Sequence, residues 1–199
     1  SNESSGKQGY EIALALNKLG IQTKLITGPS NLIHQRDIET KKILTADEMF
    51  DEVKRSLPVD VAVCAAAVAD FKPLKKSKTK LKKGINSFNT IEIEKNKDIL
   101  EYLGKNNKYR PKLVVGFSAE TESLSKNSLI KMRNKNCDVI IANDVSKKSF
   151  GFNSDYNKVS IIYNNGKVKK LNKNKKSFIA NKIAEFILEK LLLNDRNIH

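Results

Sequence analysis

The chain contains 199 residues, of which 39% are hydrophobic and 30% are charged. This composition supports a packed core and excludes a disordered chain, and the length favours a single domain. No apolar run is long enough for a membrane-spanning helix, so we expect no membrane protein. The net charge of +15 would suit a polyanionic partner, but abundant Lys, Asn and Ile without Trp indicate a genome composition bias that raises the charge by itself.

The two cysteines predict neither a disulfide framework nor a zinc site. Cys64 and Cys137 lie in apolar segments, with no second Cys or His at metal-ligand spacing. This usage fits a reducing compartment, and we expect a cytoplasmic protein. The polar start at Ser1 has no apolar core of a secretory signal and no initiating Met, which is compatible with a fragment of a longer chain.

Hydrophobic periodicity predicts alternating helices and strands. They are, in chain order, a helix over 9–19, strands over 23–27 and 38–44, a helix over 45–56, strands over 59–66 and 88–94, a helix over 98–105, a strand over 112–117, a helix over 122–136, a strand over 138–142, a hairpin over 159–163 and 167–170, and a helix over 176–193. This alternation predicts an α/β fold with a parallel sheet and right-handed crossovers. We expect one domain over residues 1–199.

Two segments between these elements differ in character. The small and β-branched residues 59–66 predict a strand that is buried on both faces of a parallel sheet. Residues 72–84 are rich in lysine and poor in apolar residues, which predicts a mobile loop. That loop is either a solvated linker or a lid that closes positive charge over a polyphosphate. The lid is favoured by the position of the loop, which begins directly after Asp70 at the candidate site.

Ligands of parallel sheets bind beyond the carboxyl ends of the strands. That edge would hold four polar segments, at residues 1–9, 66–70, 117–120 and 143–144. Residues 4–6 precede a helix and can receive an anion at its N-terminus, although simple helix capping explains them equally well.

Three further side chains are candidates for chemistry. Asp70, at the end of a small-residue segment, can accept hydrogen bonds or face a metal, whereas the small residues can equally serve close packing. Lys131 and Lys135 lie one helical turn apart, so both ammonium groups either reach one triphosphate or form a solvated face. Cys64 is better explained as a small buried residue than as a nucleophile, and His34 and His199 receive no role.

Several motifs, taken together in their order and spacing, resemble those of the phosphopantothenate–cysteine ligase family over nearly the whole chain. They are SNESSGKQG at 1–9, AAAVADFKP at 65–73, KLKK at 80–83, NKDI at 96–99, VGFSAET at 115–121, the pair Lys131 and Lys135, and ANDV at 142–145. Lys97 stands where the family usually has Pro, a change that leaves a backbone contact possible.

The resemblance implies a Rossmann-like three-layer fold with a mainly parallel central sheet and a C-terminal β-hairpin. It also implies a homodimeric enzyme that uses CTP with Mg²⁺ to convert the carboxylate of 4′-phosphopantothenate into an acyl-cytidylate, which the amine of L-cysteine then attacks. A carboxylate alone is unreactive toward amines at neutral pH, so the nucleotide supplies the leaving group. Catalysis would be mostly positioning and charge neutralisation.

The same resemblance assigns roles to particular residues. Asn2 would orient the acyl carbonyl, and Lys80 would be the lid lysine that neutralises charge on the reacting group. The phosphopantothenate side would be lined by Ser4, Ser5 and Gly6. The CTP-binding residues would be Cys64, Ala65, Ala66, Asp70, Lys97, Asp98, Ile99, Leu100, Phe117, Lys131 and Lys135. No residue is assigned as a metal ligand.

This sequence departs from the family before the motif that contains Asn2. The first strand and a Gly-Gly-Thr loop of the family are absent here, as is the flavin-dependent decarboxylase domain that often precedes them. We expect a separate or upstream decarboxylase flavoprotein polypeptide to supply the missing part. The alternatives are an inactive truncated remnant and a basic nucleic-acid-binding module, the latter disfavoured because the aromatic residues, at 7%, are scattered.

Overall fold

The computed structural model describes residues 5–32, 37–75, 90–120, 124–144 and 154–196. The helices are α1 (Lys7–Lys18), α2 (Ala46–Arg55), α3 (Ile99–Gly104), α4 (Leu124–Lys135) and α5 (Lys176–Arg196). The strands are β1 (Lys24–Thr27), β2 (Glu39–Lys42), β3 (Val61–Cys64), β4 (Phe71–Pro73), β5 (Ile93–Lys95), β6 (Leu113–Glu120), β7 (Val139–Asp144), β8 (Tyr156–Tyr163) and β9 (Val168–Lys175).

The central sheet contains five strands in the order β3-β6-β7-β8-β9. β3, β6 and β7 run parallel, and β8 and β9 continue the sheet as an antiparallel hairpin. β1 and β2 form a separate parallel pair, and β4 and β5 form a short antiparallel pair. The predicted parallel sheet with a C-terminal hairpin is therefore confirmed, and the hairpin strands are longer than the periodicity indicated.

Helices cover both faces of the central sheet. On one face α1 and α5 pack against side chains that include Ile141 and Ile161, and on the other α3 and α4 pack against Val114 and Ile140. All four of these side chains are completely buried. Burial of each side chain of this size contributes about 1.5–3 kcal/mol, so the two apolar layers hold the sheet between the helices. This arrangement confirms the predicted three-layer fold.

Two helices that position the site begin at side-chain caps. Thr45 Oγ1 accepts a hydrogen bond from the N–H of Glu48 at 3.2 Å, and the Glu48 carboxylate accepts one from the N–H of Leu44 at 2.8 Å. The start of α2 at this predicted capping box is confirmed. Asp98 caps α3 in the same way, because its carboxylate accepts the N–H of Glu101 at 2.8 Å.

The strand predicted over 59–66 is shorter and less buried than expected. β3 has four residues, and all of them are only partly buried. It pairs with β6 on one side, and on its other side no strand of the described residues pairs with it. The prediction of two fully buried faces was wrong. The burial of a strand depends on how many strands pair with it, and the apolar composition of the segment does not determine that number.

The lysine-rich segment begins as a strand. Lys72 and Pro73, predicted as the start of the mobile loop, belong to β4 and pair with β5. The Lys72 ammonium lies 2.5 Å from the Asp47 carboxylate and 3.5 Å from that of Glu94. These two residues are therefore ordered by pairing and charge, which the local composition does not show. Residues 76–84 lie outside the described residues, and β5 begins later than the strand predicted from residue 88.

α5 is the longest helix, with 21 residues. One of its faces is buried against the sheet through Ile179, Ile183 and Ile187, while Lys182, Glu185 and other charged residues interrupt the opposite face. Neither α5 nor any other helix of the described segments is both long and apolar enough to cross a membrane.

Candidate functional site

The carboxyl ends of β3, β6 and β7 meet at one edge of the sheet, which we call the rim. A cavity of about 1570 Å³ opens there. Its walls include nearly all described residues that were predicted to bind the nucleotide, namely Cys64, Ala65, Ala66, Asp70, Lys97, Asp98, Ile99, Leu100, Phe117 and Lys131. A smaller adjoining cavity of about 420 Å³ is lined by Lys135 together with Asp70, Asp98 and Lys131. The fold thus brings these residues to one place.

The N-terminus of α1 reaches the same rim. Gly6, the residue before the helix, adopts a φ of 71° and provides no side-chain cap, and the first turn contains no acidic residue. A Cβ atom at Gly9 would lie 3.4 Å from the Cβ of Ala65, so the helix passes close to the segment that follows β3. Ser5 Oγ accepts the N–H of Lys7 at 3.4 Å. The positive end of the helix dipole is therefore directed to the rim.

Three residues predicted for this site, Asn2, Ser4 and Lys80, lie outside the described residues. Their roles stay predictions from the resemblance. Ser5 and Gly6 are described, and Gly6 is part of the cavity wall.

Lys131 and Lys135 share one face of α4, as their spacing predicts. Lys131 Nζ donates a hydrogen bond to the carbonyl oxygen of Phe117 at 2.8 Å. Lys135 Nζ lies 2.9 Å from the carboxylates of both Asp98 and Glu101, and the hydrogen bond to Asp98 is the main reason that the pKa of Lys135 is raised. The charge of Lys135 is thus balanced by α3, whereas the Phe117 contact leaves the charge of Lys131 available to an anion.

The loop after β3 is tied to the segment before α3. The N–H of Asn96 donates to the carbonyl oxygen of Asp70 at 2.8 Å, and its side-chain amide donates to that of Ala69 at 2.8 Å. These bonds hold together two of the segments predicted to surround the nucleotide. The sequence predicted that both segments belong to the site, but it did not predict the hydrogen bonds of Asn96 that connect them.

Asn157, whose buried amide lies beside the rim, was not singled out from the sequence. Its side chain is 1% exposed, and its amide donates hydrogen bonds to the side chains of Asn143 and Gln8, which lie beside the rim. A signal was present, because Asn157 occupies the position that alternation with Val159 assigns to the buried face of β8. A polar residue at such a position needs partners.

The sequence profile of the DNA/pantothenate metabolism flavoprotein C-terminal domain family matches residues 1–191. The chain belongs to this family. One curated relative, the coenzyme A biosynthesis bifunctional protein CoaBC of Borreliella burgdorferi, is 39% identical over 189 residues, covering 94% of this chain and 47% of the relative. The chain spans about half the length of the curated relatives it matches.

Solved structures agree with this family membership. The C-terminal domain of a coenzyme A biosynthesis bifunctional protein CoaBC superposes with a TM-score of 0.78 at 31% identity, covering 98% of this chain and 86% of that chain. A Cab2 mutant in complex with phosphopantothenate-cysteine reaches a TM-score of 0.70 at 13% identity, covering 98% and 81%. The second similarity concerns the fold alone.

In this member of the flavoprotein C-terminal domain family, the Cys64 thiol lies in an apolar environment. Its side chain packs against the apolar cluster beneath α3 and α4. This desolvation, with a smaller contribution from Cys137, raises the pKa of the Cys64 thiol to about 12. The thiol is therefore protonated at neutral pH, and Cys64 contributes backbone and volume to the rim.

Two carboxylates, those of Asp70 and Asp98, lie in the wall of the smaller cavity at the rim. Among the described residues, no cluster of three or more His, Cys, Asp or Glu side chains could hold a metal ion. Mg²⁺ commonly uses one or two carboxylates plus phosphate oxygens. Asp70 lies beside Lys131 in the cavity walls and offers one such carboxylate, while Asp98 is engaged by Lys135.

The contact between α3 and α4 predicts a pH dependence of stability. Glu101 accepts hydrogen bonds from Lys105 at 2.7 Å and from Lys135 at 2.9 Å, and these bonds, with Lys105 the larger cause, lower the pKa of Glu101 to about 2. A lowered carboxyl pKa stabilises the fold above the ordinary pKa of 4.5, and the contribution is lost as the pH falls toward 2.

We therefore expect Glu101→Gln to lower the free energy of unfolding at neutral pH and to reduce its decline between pH 4.5 and about 2. Chemical denaturation across that range measures both effects. Lys105→Met should reduce the same decline, since it removes the hydrogen bond that contributes most to the lowered pKa of Glu101. Identical pH profiles for the wild type and Glu101→Gln would contradict the assignment.

Proposed function

We propose that this chain is a ligase that joins 4′-phosphopantothenate to L-cysteine at the expense of CTP, in coenzyme A biosynthesis in the cytoplasm. The observation that carries the proposal is the convergence of Asp70, Phe117 and Lys131 with the start of α3 around one cavity at the rim. The relatives are described as bifunctional proteins of coenzyme A biosynthesis. A cavity with a cation on one side and a helix N-terminus on the other suits a nucleotide and a second anionic substrate.

The nucleotide would lie on the side of α3 and α4. Residues 64–66 offer backbone groups to CTP, and residues 97–100 with Phe117 complete its pocket. Lys131 meets the triphosphate directly, and Lys135, paired with Asp98 and with Glu101 of α3, lies in the same cavity wall and completes the triphosphate site. Mg²⁺, held by phosphate oxygens and Asp70, would neutralise phosphate charge when bound.

The acyl substrate would lie on the side of α1, next to Ser4, Ser5 and Gly6. A carboxylate oxygen of phosphopantothenate attacks the α-phosphorus of CTP, and pyrophosphate leaves. The cysteine amine then attacks the acyl carbon, the bond from that carbon to the phosphate oxygen breaks, and CMP and a proton leave. Asn2 orients the acyl carbonyl and Lys80 neutralises the charge that develops, so the chain contributes orientation and electrostatics.

A homodimer is part of the proposal. Four large apolar side chains in and beside the β4–β5 pair are exposed, with exposed fractions of 49% to 71%. They are Phe71, Leu74, Ile91 and Ile93. A cluster of large apolar side chains at the surface is typical of an interface. A second copy of the chain would cover it.

A strand supplied by an upstream polypeptide is the other proposed partner. β1 and β3 each have an edge that pairs with no strand of the described residues, and the large cavity extends between them. Apolar side chains line this gap on both faces, including Leu16 from α1 and Val53 from α2. A parallel strand would satisfy both edges at once.

The ligase proposal predicts that pyrophosphate release requires CTP, phosphopantothenate and Mg²⁺ together. Lys131→Met should raise the KM for CTP by about tenfold or more, the value of one hydrogen bond to a charged group. Lys126→Met, on the same helix but outside both cavity walls, is the matched control. Lys80→Gln should stay folded and lose activity.

Thermal unfolding separates binding from turnover, because a ligand that binds only the folded chain raises its stability. CTP should protect more than ATP or GTP, and RNA should not compete. Protection by RNA with no effect of CTP would instead support the nucleic-acid-binding module, and protection without turnover would support an inactive remnant.

The dimer is tested with Ile93→Glu, which places a charge in the exposed apolar cluster. Sedimentation velocity should show a dimer for the wild type and a monomer for the variant. Leu44→Glu, at an exposed apolar residue outside the cluster, is the matched control and should remain a dimer. A monomeric wild type would refute this part of the proposal.

The proposed strand partner of β1 and β3 is tested by adding, ahead of Ser1, the segment that precedes the matched region of the Borreliella burgdorferi relative. Backbone hydrogen exchange in β1 and β3 should become slower, because their free edges gain partners. The matched control carries Pro at alternate positions of the added segment, which removes the N–H donors. Unchanged exchange in the extended chain would contradict the proposal.

A further inference from the structure

A chain of side-chain amides connects β8, β7 and α1 beside the rim. The N–H of Lys158 donates to Asn157 Oδ1 at 3.0 Å. Asn157 Nδ2 donates to Asn143 Oδ1 at 3.0 Å and to Gln8 Oε1 at 3.2 Å. Gln8 Nε2 donates to the carbonyl oxygen of Lys176 at 3.4 Å.

The direction of this amide chain is fixed at both ends. A backbone N–H can only donate and a backbone carbonyl can only accept. The N–H of Lys158 therefore determines which atom of Asn157 is the oxygen, and the carbonyl of Lys176 determines which atom of Gln8 is the nitrogen. Between these ends, the Asn157 amino group must donate, so the oxygen of Asn143 must face it.

This direction determines what Asn143 presents to the rim. Asn143 pairs with Ala119 of β6 and with Val159 of β8, near the carboxyl end of β7. Alternation places its side chain on the same face as Ile141, which is the face covered by α1 and α5. Because its oxygen is bound to Asn157, its amino group points away from the amide chain. No acceptor within the described part of the molecule binds that amino group.

We propose that Asn157 is a positioning residue that fixes the amide of Asn143 so that its amino group donates a hydrogen bond to an oxygen of the acyl substrate. The inference rests on the proposed function and adds two residues to it. Gln8 of α1 helps to fix this direction, because its side-chain oxygen accepts a hydrogen bond from the second N–H of the Asn157 amino group. The buried position of Asn157 makes the direction persistent, because an amide turned the other way would place two oxygens or two amino groups face to face.

The test uses Asn157→Asp, which keeps the shape of the side chain and the acceptor for the N–H of Lys158. The new carboxylate cannot donate, so Asn143 must turn its amino group inward and its oxygen outward. We expect the KM for phosphopantothenate to rise by about tenfold, the value of one hydrogen bond, with little change in the KM for CTP. Asn165→Asp is the matched control, because Asn165 also accepts a backbone N–H, from Lys167 at 3.0 Å, in the exposed hairpin turn.

A double-mutant cycle separates positioning from a direct effect of the new charge. In the Asn143→Ala background, Asn157→Asp should change the KM for phosphopantothenate by less than about twofold, because the group through which it acts is gone. An equal rise in both backgrounds would overturn the proposal. A folded Asn157→Asp enzyme with an unchanged KM would overturn it as well.

A measurement on the wild-type chain needs neither substrate nor substitution. In nuclear magnetic resonance spectra, the side-chain amino protons of Asn157 should exchange slowly with solvent, and those of Asn143 should exchange quickly. Slow exchange at Asn143 with fast exchange at Asn157 would overturn the proposed direction. This result is independent of ligase activity, so it distinguishes failure of the positioning role from failure of the proposed function.

Discussion

Parallel pairing of β6 with β3 and β7 is the constraint on which the rest of the structure depends. Val115 pairs with Val63 on one side and with Val139 on the other, so three chain segments far apart in sequence must end at the same edge. Parallel strands require crossovers, and α3 and α4, which lie in those crossovers, pack on one face of the sheet while α1 and α5 cover the other. Everything proposed about nucleotide and acyl substrate follows from that shared edge, because it is where loops, helix ends and polar side chains meet.

The two sides of the rim differ in their chemistry. The side of α3 and α4 is organised by ion pairs, in which Asp98 and Glu101 hold Lys135 and leave Lys131 facing a carbonyl. The side of α1 is organised by neutral amides, with Asn157 at their centre. Under the proposed function, this division would place charges and fixed dipoles before the triphosphate and the phosphorylated acid arrive.

Several lysines have structural surroundings that do not involve a polyanionic ligand. Lys24 is paired with the buried carboxylate of Glu52, and Lys72 is paired with Asp47. Exposed lysines such as Lys169 and Lys173 lie on β9, the outer strand of the sheet. Charged side chains on an edge strand disfavour its pairing with another sheet. Lys131 differs from these lysines in its location, because it lines both cavities at the rim.

The sequence by itself determined the α/β class, the buried strands β6 and β7, the start of α2 at Thr45 and the shared face of Lys131 and Lys135. These features depend on local periodicity and spacing. Only the tertiary structure decided that β3 has an open edge, that Lys135 is bound to α3, and that Asn157 directs the amide of Asn143. Such features depend on which distant segment becomes the neighbour, and a hydrogen bond or ion pair acts over a few ångströms of space regardless of the separation along the chain.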